Sequence, residues 1–153
     1  MKNKRVITYS WKKILEDSHI LLSLVAKTYT PDYIVTFYRN GMFPLLLFSH
    51  FFDLEDSLIL KPHKQYLTDL VYPSQFFIGK KVLILDDIYD SGETIEKTRD
   101  WLLTNLSQRA PELKVAVIDC KEDKTGRVDY YVNKVEKDVW IYYPWETRQE
   151  DGE

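Results

Sequence analysis

An open, mostly parallel α/β sheet with helices packed on its faces is the fold class that the sequence predicts. Segments rich in β-branched and aromatic residues alternate with segments in which apolar residues recur at helical spacing. The uninterrupted apolar run Val82–Leu85 is typical of a parallel strand covered on both faces. The length of 153 residues suits one domain, and no repeat or linker divides the chain. We therefore expect a single domain spanning residues 1–153, with right-handed crossovers between its parallel strands.

The first half of the chain predicts two helices and two strands. Ser10 is suited to cap a helix that runs to about Lys27, because apolar residues then follow at three-to-four-residue spacing. The next elements in order are a buried strand over Tyr33–Tyr38, a helix over Phe43–Phe52 with Pro44 in its first turn, and a weaker strand over Ser57–Lys61.

The second half contains the central strand. From His63 to Gly79, polar and aromatic residues show no clear period, which predicts an irregular excursion. Lys81–Asp86 follows as the central strand, because its uninterrupted apolar run has the pattern of a parallel strand covered on both faces. The remaining elements are a helix over Glu93–Leu106 and strands over Lys114–Asp119 and Asp129–Asn133. Ligands of such sheets bind at the carboxyl ends of the strands, so the residues there are candidates for a site.

The composition excludes several classes of protein. Hydrophobic residues make up 44% of the chain and aromatic residues 14%, which is enough apolar material for a folded core. The net charge of −3 leaves no excess of positive charge for a long nucleic-acid backbone, so we expect no nucleic-acid partner. No apolar run is long enough for an integral membrane segment, and the basic N-terminus lacks the apolar core of a signal peptide. The single cysteine, Cys120, fits a reducing compartment, and a cytoplasmic location is expected.

The segment from Val82 to Thr94 has the pattern of a phosphate site. Two carboxylates, Asp86 and Asp87, lie at the end of the central strand, and a turn with Ser91 and Gly92 then opens a helix. Free backbone N–H groups at a helix start bind phosphate, and glycine permits close backbone approach. Adjacent carboxylates accept hydrogen bonds from a ribose diol or bind Mg²⁺. Acidic residues are also common near helix N-termini for electrostatic reasons alone, but the buried strand before this pair favours a functional site.

These thirteen residues resemble the phosphoribosyl-pyrophosphate (PRPP) signature of the type I phosphoribosyltransferases. The segment Tyr33–Pro44 is similar to the first strand and pyrophosphate loop of that family, and Trp140–Glu146 resembles the ending of small bacterial xanthine-guanine phosphoribosyltransferases. The resemblance implies the type I phosphoribosyltransferase fold, with a small hood formed by terminal segments and mainly by residues from about 120 to 153. It also implies Mg²⁺ as the cofactor, and PRPP and a purine base as substrates.

The resemblance implies a role for each matching residue. Asp86 and Asp87 would lie beside the ribose hydroxyls, with Asp87 as the metal contact, and Asp90 would lie near N7 of the purine as the catalytic acid or base. The other implied contacts are Asp90, Ser91, Gly92, the backbone of Glu93 and Thr94 for the 5′-phosphate; Arg39, Asn40 and Gly41 for pyrophosphate; and Lys121 at the 6-oxo group, Trp140 by stacking, and Ile141 and Glu146 at the other edge of the purine.

Two positions depart from the pattern of the family. The pyrophosphate loop usually reads Arg-Gly-Gly, whereas here Asn40 stands between Arg39 and Gly41. Glu93 places an acid inside a phosphate nest, which would weaken binding if its side chain pointed inward. No flexible active-site loop is recognisable between His63 and Gly79, so Lys61, Lys64 or both are candidates for its cation.

The function that follows is a purine phosphoribosyltransferase of the salvage pathway. Lys121 donates hydrogen bonds, which favours a 6-oxopurine (hypoxanthine, guanine or xanthine) over adenine, because two facing donors would both stay unpaired. A PRPP-binding regulator without catalysis is the alternative, based on Asn40 and Glu93. A receiver-type signalling domain fits less well, because its acids would lie near the start of the chain. Exposed aromatic residues in a small domain suggest a homodimer or tetramer.

Overall fold

The computed structural model describes residues 4–61, 77–104 and 110–146. The elements in chain order are β1 Arg5–Thr8, α1 Trp11–Ala26, β2 Tyr33–Phe37, α2 Met42–Phe51, β3 Ser57–Leu60, β4 Lys81–Tyr89, α3 Glu93–Thr104, β5 Glu112–Lys121, a 3-10 helix Glu122–Arg127, β6 Tyr130–Val135 and β7 Val139–Tyr142. Most of the excursion predicted between His63 and Gly79 lies outside the described residues, as does the predicted end of α3.

Five parallel strands form the main sheet in the order β3-β2-β4-β5-β6. The apolar run of β4 is fully buried at its centre, as a covered parallel strand requires. Helix α1 begins where predicted, because the Ser10 hydroxyl accepts a hydrogen bond from the Lys13 N–H at 3.2 Å. The predicted parallel α/β architecture is therefore confirmed.

The two faces of the sheet bury separate apolar layers. Helices α1 and α2 cover one face, where Leu83 and Leu85 of β4 lie. Helix α3 covers the other face, where Val82 and Ile84 lie. None of the helices in the described part of the chain has the length and apolar character needed to cross a bilayer.

Along β4 the alternation of faces shifts by one residue. Leu85 and Ile88 both belong to the layer under α1 and α2, although strict alternation would place residues three positions apart on opposite faces. Tyr89 belongs to the α3 layer with Ile84. The shift falls between Leu85 and Ile88, the stretch that contains Asp86 and Asp87, although β4 stays paired with β5 in one register from Lys81 to Tyr89.

A second, two-stranded sheet pairs β1 with β7 in parallel, with Val6 opposite Trp140. The sequence did not predict either strand. β1 has only four residues, and its side chains are mostly exposed, so it lacks the alternating apolar pattern that identifies a strand. This small sheet brings the beginning of the described chain against the C-terminal segment.

Candidate active site at the carboxyl edge of the sheet

The acid pair lies inside β4, which continues to Tyr89, three residues beyond the end of the predicted strand. Asp86 Oδ1 accepts a hydrogen bond from the Asp87 N–H at 2.9 Å, and Asp87 Oδ1 accepts one from the Ile88 N–H at 2.8 Å. Asp87 is 3% exposed, and its Oδ2 has no hydrogen-bond partner among the described residues. A buried oxygen without a protein partner fits a site that receives a ligand hydroxyl or a metal ion.

The surroundings of the pair disfavour its negative charge. Burial raises the pKa of Asp87 to about 6, against the opposing effects of Asp86, the Ile88 N–H and the Asn40 amide. Burial, followed by the Asp87 charge, raises the pKa of Asp86 well above its usual value. A divalent cation or a diol would offset the cost of keeping both groups ionised. The donor set therefore suits Mg²⁺, which proteins bind through one or two carboxylates with water and substrate oxygens completing the shell.

The turn after β4 is built for close approach to its backbone. Gly92 has φ +82°, and a Cβ there would lie 2.3 Å from the Tyr89 ring, so no other residue fits without displacement. The Ser91 hydroxyl accepts from the Glu93 N–H at 3.3 Å at the start of α3. The first-turn N–H groups of a helix lack intrahelical partners and point at the space before it. The turn and the first residues of α3 lie where the signature implies a phosphate nest.

The Glu93 side chain does not point into that nest. It is exposed and forms an ion pair with Lys97, one turn along α3, at 2.6 Å. The carboxylate therefore lies along the outer surface of the helix, where its charge is screened by solvent. Thr94, half-buried, and Asp90, exposed, lie on either side of it along the chain.

The loop after β2 packs directly against the acid pair. A Cβ on Gly41 would lie 2.1 Å from Thr36 Oγ1 and 3.2 Å from Asp86 Oδ1, so this glycine is required by close contact. Thr36 in turn donates a hydrogen bond to the Leu85 carbonyl at 2.6 Å. The Tyr38–Arg39 peptide bond is cis, and Arg39 is exposed. The predicted pyrophosphate loop and the predicted ribose acids are therefore in contact.

One of the two candidate cations for the pyrophosphate end lies beside this loop. Lys61 follows β3, and its Nζ lies 5.6 Å from the centre of the Tyr38 ring. The Tyr38 N–H donates to the Leu60 carbonyl at 2.7 Å, which fixes the two chain segments together. Lys64 lies outside the described residues.

A cavity of about 730 Å³ opens next to the loop and brings together predicted residues from distant parts of the sequence. Arg39 and Asn40 line it from the loop, and Trp140 and Glu146 line it from the C-terminal segment. The acids of the signature and Lys121 are not among the described residues that line it. The site as a whole is therefore an acid pair and phosphate turn on one side and an aromatic cavity on the other, joined by the loop that contains Arg39.

The tryptophans of the cavity differ in exposure. Trp145 stacks on Tyr143 at 4.8 Å between ring centres and on Phe43 at 5.7 Å. Trp140 is 44% exposed, with Lys4 over its ring at 5.3 Å, and Trp11 is 54% exposed. A flat base can therefore stack more readily on Trp140 or Trp11 than on Trp145. Of these two, Trp140 is the one that the resemblance implies.

Lys121 is the last residue of β5 and is 5% exposed. Its ammonium donates to the carbonyls of Glu136 at 3.3 Å, Lys137 at 3.4 Å and Val139. An ammonium has three N–H donors, so a purine oxygen would have to replace one of these carbonyls. The backbone position predicted at Ile141 is buried in β7, and Glu146 Oε2 accepts from the Tyr143 N–H at 3.1 Å.

Two supporting residues were missed by the sequence analysis. Thr36 links β2 to β4 under the acid pair, and Tyr89 packs under Gly92 and donates to Glu96 at 2.7 Å. Thr36 occurs in an apolar strand, and a polar residue there is a signal that could have been used. Tyr89 occupies a variable position of the signature, and nothing in the sequence marks it.

Known proteins resemble this chain in sequence over most of its length. The model of the phosphoribosyl transferase domain family matches residues 62–151. A xanthine-guanine phosphoribosyltransferase of Cereibacter sphaeroides is 28% identical over 116 residues, which cover 71% of this chain and 65%, less than two thirds, of that relative. The enzyme of the same name from Desulfotalea psychrophila is 25% identical over 154 residues, covering 96% of this chain and 90% of that protein.

Solved structures of purine phosphoribosyltransferases share the fold. The Pyrococcus horikoshii enzyme superposes with a TM-score of 0.71 at 26% identity, covering 94% of this chain and 95% of that chain. The xanthine-guanine-hypoxanthine enzyme of Helicobacter pylori gives a TM-score of 0.77 at 20% identity, covering 96% of this chain and 97% of that chain, and its likeness concerns the fold alone. The family model spans more than half of the chain and includes the acid pair, the phosphate turn and the segment of Trp140, so the chain belongs to the phosphoribosyl transferase domain family.

Proposed function

We propose that the protein transfers the 5-phosphoribosyl group from PRPP to a 6-oxopurine and releases pyrophosphate. The observation that carries the proposal is the placement of the loop Arg39–Gly41, which contacts the acid pair on one side and lines the aromatic cavity on the other. A ribose bound at the acids and a base bound on Trp140 would then meet beside this loop. The names of the relatives, which include xanthine and guanine, support the purine class.

The reaction breaks the bond between the anomeric carbon and a pyrophosphate oxygen and forms a bond from that carbon to a purine nitrogen. The purine loses a proton, and pyrophosphate leaves with the electron pair. Such a transfer passes through a state with positive charge on the sugar, so negative charge beside the ribose is stabilising. Asp86 and Asp87 supply that charge, Arg39 neutralises the departing pyrophosphate, and Asp90 moves the proton at N7.

Asp87, with Asp86 beside it, would hold Mg²⁺ in the bound enzyme. The metal ion would neutralise charge on the pyrophosphate oxygens during its departure. The observation that supports this assignment is Asp87 Oδ2, a buried carboxylate oxygen with no protein partner among the described residues.

A release assay for pyrophosphate tests the proposal. PRPP and Mg²⁺ are combined with hypoxanthine, guanine, xanthine or adenine, and a chelator of divalent cations is added to a parallel set. We expect release with at least one of the 6-oxopurines, little with adenine, and none with the chelator. Mg²⁺-dependent PRPP binding without release from any purine would contradict catalysis and favour the regulator.

Replacing Trp140 tests the platform. Base stacking on an aromatic ring is worth about 1–3 kcal/mol, so Trp140→Ala should raise the KM for the purine roughly 5- to 150-fold while the KM for PRPP stays unchanged. Steady-state kinetics with each substrate varied in turn measure both values. Trp101→Phe is the control, because Trp101 belongs to α3 and packs against Phe77 on the other face of the sheet. Equal KM values in the Trp140 variant and the wild type would remove Trp140 from the site.

We also infer a homodimer or tetramer in the cytoplasm. Helix α2 carries no acidic or basic side chain other than His50, and Phe51 is 59% exposed near its end, which favours burial against another subunit, whereas the exposed Met42 and Leu46 of the same helix line the cavity. The free, buried thiol of Cys120 supports a reducing compartment.

A further inference from the structure

A buried carboxylate outside the signature connects four parts of the chain. Asp119 of β5 is fully buried and accepts hydrogen bonds from the Tyr9 hydroxyl at 2.9 Å, the Tyr143 hydroxyl at 2.7 Å and the Asn133 amide at 3.0 Å. Tyr9 follows β1, Tyr143 follows β7, and Asn133 belongs to β6. Asn133 also donates to Asp17 of α1 at 2.8 Å, which joins that helix to the network.

Burying a carboxylate in an apolar strand costs free energy, because the charge loses its hydration. Burial raises the pKa of Asp119, whereas the hydrogen bonds from its three donors lower it by stabilising the ionised form. The donors come from 110, 24 and 14 residues away along the chain, so none of these bonds serves local secondary structure. The network buries a charged group, satisfies it fully and joins distant parts of the chain. We therefore infer that it fixes the relative positions of the segments that it joins.

Asp119 and Lys121 act on opposite ends of β7. Residues two apart in a strand point to the same side, and both side chains reach the C-terminal segment. Lys121 binds the carbonyls of Glu136, Lys137 and Val139, immediately before and at the start of β7. Asp119 binds the hydroxyl of Tyr143, the residue immediately after β7. The four residues of β7 are therefore fixed to the main sheet on both sides of Trp140.

The Tyr143 ring also contacts a residue of the cavity wall. It stacks on Trp145 at 4.8 Å with the planes only 3° apart, and it meets the Tyr9 ring edge-on at 5.7 Å. Trp145 lines the cavity together with Trp140 and Glu146. Asp119 thus fixes both the strand that presents Trp140 and the ring beside it, without lining the cavity itself.

We propose that Asp119 is a positioning residue for the purine, which acts through Tyr143 and Tyr9 to hold the aromatic wall of the cavity in place. The proposal rests on the proposed function. It predicts a selective effect, because the side chains of Asp86, Asp87 and Ser91 accept their hydrogen bonds from backbone N–H groups of their own segment. The Asp119 charge does contribute to the raised pKa of Asp87, so Tyr143→Phe, which keeps that charge, is the stricter test of the PRPP side.

The test uses Asp119→Asn and Tyr143→Phe, with Tyr29→Phe as a matched control. Tyr29 is also buried, and its hydroxyl donates to the carbonyls of Glu112 at 2.9 Å and Val82 at 3.2 Å, at the opposite end of the sheet. Thermal unfolding of all three variants measures the cost of losing a buried hydrogen bond. Misplacement of the aromatic wall should weaken base stacking only in part, so we expect the KM for the purine to rise about tenfold in both test variants, within the roughly 5- to 150-fold expected for loss of a stacking ring. The KM for PRPP should stay unchanged.

The control should lose thermal stability with both KM values unchanged. A rise in the two KM values together, or unchanged values in the test variants, would overturn the positioning role. Near-ultraviolet circular dichroism in the tryptophan band provides a readout without turnover. Asp119→Asn removes no aromatic ring, so we expect a change in that band if the Tyr143–Trp145 stack moves, whereas Tyr29→Phe removes only a tyrosine contribution and should leave the band unchanged. If the wild type releases no pyrophosphate, the proposed function fails, whereas an unchanged tryptophan band in Asp119→Asn contradicts the positioning role itself.

Discussion

Replacing Asp90 by Asn should lower turnover by about 10²- to 10⁴-fold, the usual contribution of general acid–base catalysis. Asp90 is exposed in the turn between β4 and α3, and no hydrogen bond or ion pair links its side chain to the other described residues. An amide has nearly the same size but cannot exchange a proton with N7 of the purine. Binding of PRPP should be largely intact, because the backbone of the turn is preserved.

The measurement is a single-turnover release of pyrophosphate, combined with PRPP titration by calorimetry. Asp100→Asn is the control, since Asp100 is an exposed acid later in α3 and loses the same charge away from the turn. The free energy of unfolding of both variants should lie within about 0.5 kcal/mol of the wild-type value, as is usual for surface substitutions. Turnover in Asp90→Asn equal to that of the Asp100 variant would remove Asp90 from catalysis.

Replacing Gly92 by Ala should weaken PRPP binding by about 10- to 150-fold, the effect of losing one hydrogen bond to a charged group, which is worth about 1.5–3 kcal/mol. The new Cβ would lie 2.3 Å from the Tyr89 ring, so either the turn or the ring must move. The Tyr89 hydroxyl is tied to Glu96 of α3, and a displaced ring would therefore also disturb the first turns of that helix. Both movements separate the backbone donors from the place where the 5′-phosphate would bind.

Gly79→Ala is the control that distinguishes the clash with Tyr89 from the strain of placing alanine in a left-handed backbone conformation. Gly79 has φ +67°, similar to the +82° of Gly92, but a Cβ there meets no other heavy atom within 4 Å. Both variants should lose about 1–2 kcal/mol of stability from the left-handed conformation alone. Only Gly92→Ala should lose affinity for PRPP. Equal affinities in the two variants would show that the turn does not cradle the phosphate.

The sequence contained enough information for the main sheet and the phosphate turn, because both are encoded locally. The apolar run of β4 and the Ser-Gly-Glu-Thr turn specify burial and backbone geometry within thirteen residues. The shift of faces at Asp86 and Asp87 could not be foreseen, because it depends on how the neighbouring strands pack. The same holds for Gly41, whose requirement follows from contact with Thr36 and Asp86 on two different strands.

The base side of the site was harder to predict, because its geometry depends on long-range contacts. Lys121 was predicted as a reader of the purine, and its ammonium is found bound to three carbonyls near β7. Asp119 received no role from the sequence, although a carboxylate within Val115–Cys120 is unusual in an otherwise apolar strand. Glu93 was considered unfavourable for phosphate, and its outward ion pair with Lys97 removes that difficulty.

The pairing of β1 with β7 has a consequence for how the protein is made. β1 leaves the ribosome first among the described strands, but its partner emerges about 130 residues later, and contacts of such sequence separation form late in folding. The segment of the phosphate turn, between β4 and α3, is synthesised well before β7. The small sheet that presents Trp140 is therefore the last part of the site whose strands are both available to the growing chain.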